Sequence, residues 1–121
     1  MDAFALPKNN NDEKKVRKEA IQEATRYATE VPFKVMELSL ASMDIIEAMA
    51  KIGNPNSVSD AGVGALAIRS AILGAHLNVK INARDLSDRD FAENILHKAK
   101  EIENHAIEKE IRILDIVNAR L

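Results

Sequence analysis

An all-α protein of about three long helices is what this 121-residue sequence predicts, and three observations predict it. Apolar residues recur at steps of three and four along most of the chain, the spacing that lines one face of a helix. No run alternates apolar and polar residues as a half-buried strand does. The helix-ending clusters are few, Pro7 with Asn9 to Asn11 and Gly53 with Pro55, so the stretches between them are long.

The first segment, Met1 to Leu6, is short, apolar and helix-friendly, and Pro7 and the asparagine run end it. A domain rarely begins on the last turn of a helix, so the expectation is a chain that starts inside a larger fold. From Asp12 the helical pattern is strong. Ala24, Val31, Leu38, Ile45 and Ile52 recur every seventh residue, with Ala28, Val35, Ser42 and Met49 between them, all on one stripe. Met36, Met43 and Met49 read as core filler. Pro32 lacks an N–H and crowds the carbonyl of Ala28, which predicts a kink there. Gly53 is expected to end the helix as a left-handed cap, and Pro55 prevents continuation.

The second helix is expected from near Ser57 or Ser59, both good N-caps, to about Ala83. It is small-grained, with Gly62, Gly64, Gly74 and many alanines; glycine inside a helix costs about 1 kcal/mol relative to alanine. Three such residues point to close approach by neighbours, which makes this the central helix. Its most apolar stretch, Ala61 to Val79, is interrupted by Arg69 and His76 and reads as a buried helix rather than a membrane span. Ser87 to Asp90 has the form of a capping box opening a third helix. Phe91, Ile95, Ala99, Ile102, Ala106, Ile113 and Val117 form its stripe, with Glu101/His105 and Glu108/Arg112 as i,i+4 pairs. Long apolar stripes on so few helices need covering by another chain or a further segment.

Composition removes several functions. Seventeen basic against nineteen acidic residues give a formal charge of −2, and aromatics are 3% of the chain, so nothing steers or stacks nucleic acid. The acidic balance also disfavours a membrane-surface role. No cysteine is present, which excludes disulfides, thiolate metal sites and a cysteine nucleophile. No basic and apolar leader opens the chain, and the expected location is the cytoplasm. His97 and His105 lack metal-ligand spacing, and the charges from Lys14 to Lys18 read as a solvated face.

Chemistry concentrates on the second helix. With Asp60 at zero, Asn78 falls at about 0° and Asn82 at about 40° of helical rotation, on a stripe whose intervening residues are small. Arg69, His76 and Lys80 lie on the opposite stripe; His76 is either a general acid–base or, the simpler reading, a hydrogen-bonded structural histidine. Asp60 and Asn78 are roughly 27 Å apart along the axis. Both therefore serve one small site only across an antiparallel dimer; otherwise they belong to opposite ends of the helix. The turn Gly53-Asn54-Pro55-Asn56-Ser57-Val58-Ser59-Asp60 gathers hydrogen-bonding side chains at a helix N-terminus. Asp60 there can hold a cationic amidine or ammonium-like group; the plainer alternative is that Ser57, Ser59 and Asp60 only cap the helix.

The run from Gly53 to Gly62, followed by Asn78-Val79-Lys80-Ile81-Asn82, resembles the signature of the formiminotetrahydrofolate cyclodeaminase / methenyltetrahydrofolate cyclohydrolase family. Leu6-Pro7-Lys8, Lys18 to Gln22 and Ala28 to Phe33 support the resemblance, which covers the whole chain in order. The family's Pro-Gly-Gly-Gly-Ser type loop is missing, and Met1 matches a methionine inside the family's domain, so residues 1–121 resemble the C-terminal portion of one such domain.

The resemblance implies an all-helical, homodimeric folate enzyme of one-carbon metabolism and histidine degradation. It would be a lyase that cyclises 5-formiminotetrahydrofolate to 5,10-methenyltetrahydrofolate with release of ammonia. A hydrolase acting on the methenyl compound is the alternative, and a non-catalytic helical assembly module is a further one. The tetrahydrofolate derivative is then substrate, with no permanently bound cofactor or metal and no nucleic-acid or membrane partner. On that reading Asp60 is the electrostatic partner or proton relay. Asn54, Asn56, Ser57 and Ser59 shape the pterin or formimino pocket. Asn78 and Asn82 orient substrate or hold the neighbouring helix, and Lys8 or Arg84 meets the glutamate tail.

Overall fold

A computed structural model describes residues 2–121; Met1, and its match to an internal methionine of the family, lies outside the described residues. Three helices make the fold: α1 (Asn11–Ile52), α2 (Val58–Ala83) and α3 (Arg89–Arg120), with 3₁₀ turns at Ala3–Ala5 and Pro55–Ser57 and no strand among the described residues. Each helix packs on the other two, and α2 shares most with α1.

The asparagine run belongs to the start of α1. Asn10 accepts from the Glu13 N–H at 2.9 Å, while the Glu13 carboxylate reaches back to the Asn9 N–H at 2.8 Å. That reciprocal arrangement satisfies two donors that a helix N-terminus leaves open. Asp88 opens α3 likewise, accepting from the Phe91 N–H at 3.1 Å.

α1 runs through Pro32 as a single helix of 42 residues. Proline has no N–H to offer the Ala28 carbonyl. Asn82 of α2 supplies the missing donor, its Nδ2 lying 3.1 Å from that oxygen. Continuity of α1 and attachment of α2 are thus one contact.

The left-handed cap expected at Gly53 is not formed: its φ is −71° and ψ 178°, an extended conformation. The reason is Arg120, near the end of α3, which donates to the Ala50 carbonyl at 2.5 Å and the Gly53 carbonyl at 3.3 Å. A cross-helix guanidinium satisfies carbonyls that a left-handed residue otherwise helps to close. Glycine is still needed, because a Cβ there would lie 2.4 Å from the Met49 carbonyl oxygen. The end of α2 is closed the same way, with Arg89 donating to the carbonyls of Ala83 at 3.1 Å and Leu86 at 3.2 Å.

The core sits where the three helices meet. Met36, Met43 and Ala50 of α1 face Ala61, Ala65, Ile72 and Val79 of α2 and Ala99, Ala106 and Ile113 of α3, all buried. Small side chains let the helices approach closely: a Cβ on Gly62 would be 3.3 Å from Val117. The α3 stripe is buried at Ile95, Ala99, Ala106, Ile113 and Val117 and half-buried at Phe91 and Ile102.

Three expectations are corrected. Met49 is 55% exposed, outside the core that takes Met36 and Met43. Of the α1 stripe, Val31, Val35, Leu38, Ile45 and Ile52 all face solvent, because the core-facing series is Thr29, Met36, Met43 and Ala50. The α3 acids and bases pair elsewhere: Glu101 with His97 at 3.2 Å, and Arg112 across to Glu47 of α1 at 3.4 Å. The helix α2 with its leading turn, Pro55–Ala83, is long and apolar enough to cross a membrane, yet only 33% of its most apolar window is buried. Its uncovered side continues the exposed stripe of α1.

Candidate functional site

α1 and α2 run antiparallel, so the chain has two ends. The turn before α2 lies at one end beside the terminus of α3; Asn82 and Arg84 lie at the other, near the start of α3.

At the turn, Asn54 accepts from the Asn56 N–H at 2.9 Å and shapes the 3₁₀ turn. Ser57 stands at the N-cap position of α2 but makes no side-chain cap bond. Asn56, Ser57, Ser59 and Asp60 are all exposed. Among the described residues Asp60 has no ion-pair partner, and these side chains stand apart from the two hollows that follow. Their hydrogen-bonding capacity is open to solvent at the positive end of α2.

Between α1 and α2 toward the other end lies a shallow groove of about 710 Å³, walled by Tyr27, Val31, Pro32, Ala71, Gly74, Asn78 and Asn82. The Asn82 amide is engaged twice, donating to the Ala28 carbonyl and, at 3.0 Å, to the Asn78 carbonyl. Asn78 is exposed and has no side-chain hydrogen bond among the described residues. Arg84 is exposed and sits 3.3 Å from the Asp85 carboxylate. Lys8, also exposed, precedes α1. The loop after α2 is tied to Gln22, which donates to the Asp85 carbonyl at 3.0 Å and accepts from the Ser87 N–H at 2.8 Å. Asn10 is therefore roughly 18 Å further along α1 than Arg84, and Lys8 lies out at that tip. Lys8 and Arg84 are not brought together.

A second hollow of about 660 Å³ runs between the first turns of α1 and the α2–α3 loop, lined by Lys15, Lys18, Gln22, Arg26, Leu86 and Phe91. The Arg26 guanidinium stacks on the Phe91 ring at 3.9 Å. Two residues of the basic run thus flank a cavity.

On the opposite stripe of α2, Lys80 is exposed, while Arg69 and His76 are spent on structure. His76 is 2% exposed and bonded through Nδ1 to Glu103 of α3, so it faces no cavity. Arg69 pairs with the buried Glu110 at 2.9 Å. The hydrogen bond from His76, reinforced by Lys100, holds the Glu103 carboxyl below its ordinary value against the opposing effect of burial. Reading the sequence missed Arg89 and Arg120; the signal was basic residues in reach of two helix ends.

The sequence model described as formiminotransferase-cyclodeaminase matches residues 1–101. The chain belongs to the formiminotransferase-cyclodeaminase family. It is 38% identical over 121 residues to a methenyltetrahydrofolate cyclohydrolase of Methylorubrum extorquens, covering 100% of this chain and 58% of that protein. It is 33% identical over 118 residues to a formimidoyltransferase-cyclodeaminase of Rattus norvegicus, with 98% of this chain and 22% of that one covered. A formimidoyltransferase-cyclodeaminase of Dictyostelium discoideum is 36% identical over 101 residues, 84% of this chain and 19% of its own. The chain thus spans just over half, or about a fifth, of the curated relatives it matches. Every candidate from Lys8 to Arg84 lies inside the segment matched to this family, whereas the Arg120 clamp lies beyond it.

Proposed function

We propose that this chain is the C-terminal portion of a cytoplasmic, homodimeric folate one-carbon enzyme that cyclises 5-formiminotetrahydrofolate to 5,10-methenyltetrahydrofolate and releases ammonia. The observation that carries the reading is the turn from Asn54 to Asp60, whose serine and aspartate side chains are not spent on capping, in a chain matched end to end by a folate enzyme. A helix cap would use them; a binding wall leaves them free.

The reaction asks for little covalent help. N10 attacks the formimino carbon, a bond forms there, and the carbon's bond to the departing nitrogen breaks. The formimino group enters as its amidinium cation, so the N10 proton moving to its terminal nitrogen completes ammonia, which leaves while the positive charge stays on the methenyl bridge. Holding N10 against the carbon supplies several kcal/mol through proximity. Asp60 stabilises the cationic carbon and relays the proton. Asn54, Asn56, Ser57 and Ser59 offer hydrogen bonds to the pterin or formimino group, Asn78 orients substrate, and Arg84 or Lys8 meets the glutamate tail. Asn82 acts through the helix it holds. The cyclohydrolase of Methylorubrum extorquens, of which this chain covers 58%, favours a second reading in which water attacks the methenyl carbon. Both substrates share the same folate body.

Titration with 5-formyltetrahydrofolate, a stable reduced folate, tests the reading: saturable binding supports it and its absence removes it. Ammonia release against methenyl hydrolysis then separates the two reactions. In a full-length protein Asp60→Asn is expected to lower turnover by about 10²-fold or more if the carboxylate relays the proton; an unchanged rate reduces Asp60 to a helix-end charge.

A further inference from the structure

The turn from Asn54 to Ser57 has little of its own to hold it. Inside it the Asn56 N–H donates to the Asn54 side chain at 2.9 Å and the Ser57 N–H to the Asn54 carbonyl at 2.9 Å. All four residues are exposed. Few contacts and solvent-facing hydrogen bonds make such a segment easy to displace. Asp60 is better placed, because the first turn of α2 is anchored by Val58 and Ala61, both buried.

The last part of α3 brackets this segment on both sides. Ahead of it, the Arg120 guanidinium donates to the Ala50 carbonyl at 2.5 Å and the Gly53 carbonyl at 3.3 Å. Behind it, Gly62 lies so close to α3 that a Cβ there would be 3.3 Å from Val117 and 3.6 Å from Leu114. Leu114, Val117 and Arg120 are spaced by three, so one edge of α3 makes all of these contacts. Arg120 is half-buried and, among the described residues, has no carboxylate partner. Its charge is matched by carbonyls at the negative end of α1.

Resting on the proposed folate site, we infer that Arg120 is a positioning residue for it: the guanidinium fixes the Gly53 carbonyl and so holds the Asn54–Ser57 wall in the geometry that receives a reduced folate. The clamp lies outside residues 1–101, the segment matched to the family, so the end of α3 sets the affinity of a site it does not line. A planar fork suits the task, since two carbonyls from different turns of the chain have to be held at once. Released from it, the wall swings about Gly53, and the ligand has to order the wall on binding, which weakens affinity. Asp60 stays where α2 puts it.

Arg120→Met keeps an apolar stem and removes the fork. Titrated with 5-formyltetrahydrofolate, it is expected to bind about tenfold more weakly than the unaltered chain. Arg120→Lys, a point charge that serves one carbonyl at a time, is expected to fall between the two. Amide hydrogen exchange separates positioning from general stability. In Arg120→Met the amides of Asn56 and Ser57 are expected to exchange faster, while those of the buried Met43 and Ile72 keep their rates. Unchanged affinity overturns the inference, and so does weaker binding with exchange accelerated alike in turn and core, which makes Arg120 a stabilising contact only. An unaltered chain that binds no reduced folate overturns the folate reading instead, and exchange at Asn56 and Ser57 then still decides whether Arg120 holds the turn.

Discussion

At Pro32 and Asn82 two residues that each look unfavourable in a helix compensate one another. Proline leaves the Ala28 carbonyl without its donor, and the Asn82 amide fills the gap from α2. Asn82→Ala is expected to destabilise the chain by about 1–2 kcal/mol in urea unfolding, the cost of a partly buried carbonyl left unpaired. In a Pro32→Ala background the restored N–H reaches the same oxygen, so the cost of Asn82→Ala is expected to shrink to well under half. Equal costs in both backgrounds would show that Asn82 acts elsewhere. Asn82 was singled out in the sequence for its place on the Asp60 stripe; its bond to a carbonyl 54 residues earlier was not legible there, because that acceptor belongs to another element. Asp60, by contrast, is exposed at the start of α2.

At the level of elements, the contact between α2 and α3 carries a polar ladder, His76 with Glu103 and Arg69 with Glu110. Glu103 titrates below its ordinary value when folded, chiefly because His76 bonds to it, and Glu47 does so because Lys51 bonds to it. Their stabilisation is therefore complete above the ordinary carboxylate range and drains away as pH falls through the lowered folded values. Glu103→Gln is expected to flatten the acid side of the stability–pH curve below about pH 4.5. An unaltered acid limb in equilibrium unfolding would remove Glu103 from the account. The helix ends behave differently. Gly53→Ala is expected to lower thermal stability, since a methyl at 2.4 Å from the Met49 carbonyl forces the turn to move and loosens the Arg120 clamp; an unchanged melting temperature would show that the turn yields freely. The starts of α2 and α3 fall where the turn residues put them, but the caps differ: Ser57 makes no cap bond, and Asp88 rather than Ser87 caps α3. The Gly53 conformation was not legible in the sequence, because a guanidinium from residue 120 decides it.

For the whole molecule, the difficulty in reading α1 is that it has two apolar faces and one chain covers only one of them. The series Val31, Leu38, Ile45 and Ile52 is the more hydrophobic, so it dominates the sequence pattern; yet Thr29, Met36, Met43 and Ala50 are what α2 and α3 bury. Smaller and more flexible side chains suit a close approach to alanine-rich helices, and the larger aliphatic series is left for a more distant surface. Gly74 separates the two demands in one experiment. Its place in the middle of α2, with open space where a Cβ would go, means that Gly74→Ala is expected to stabilise the isolated chain by about 0.5–1 kcal/mol through helix propensity alone. Where this face is the seam of the proposed homodimer, the same methyl stands between the two copies, so dimer dissociation is expected to shift to higher protein concentration. Opposite signs, with unfolding harder at low concentration and association weaker at high concentration, are the signature of a glycine kept for a neighbour outside its own chain. If both measurements move together toward stability, that face of α2 meets nothing closely, and the open strip along α1 and α2 is not a two-fold interface.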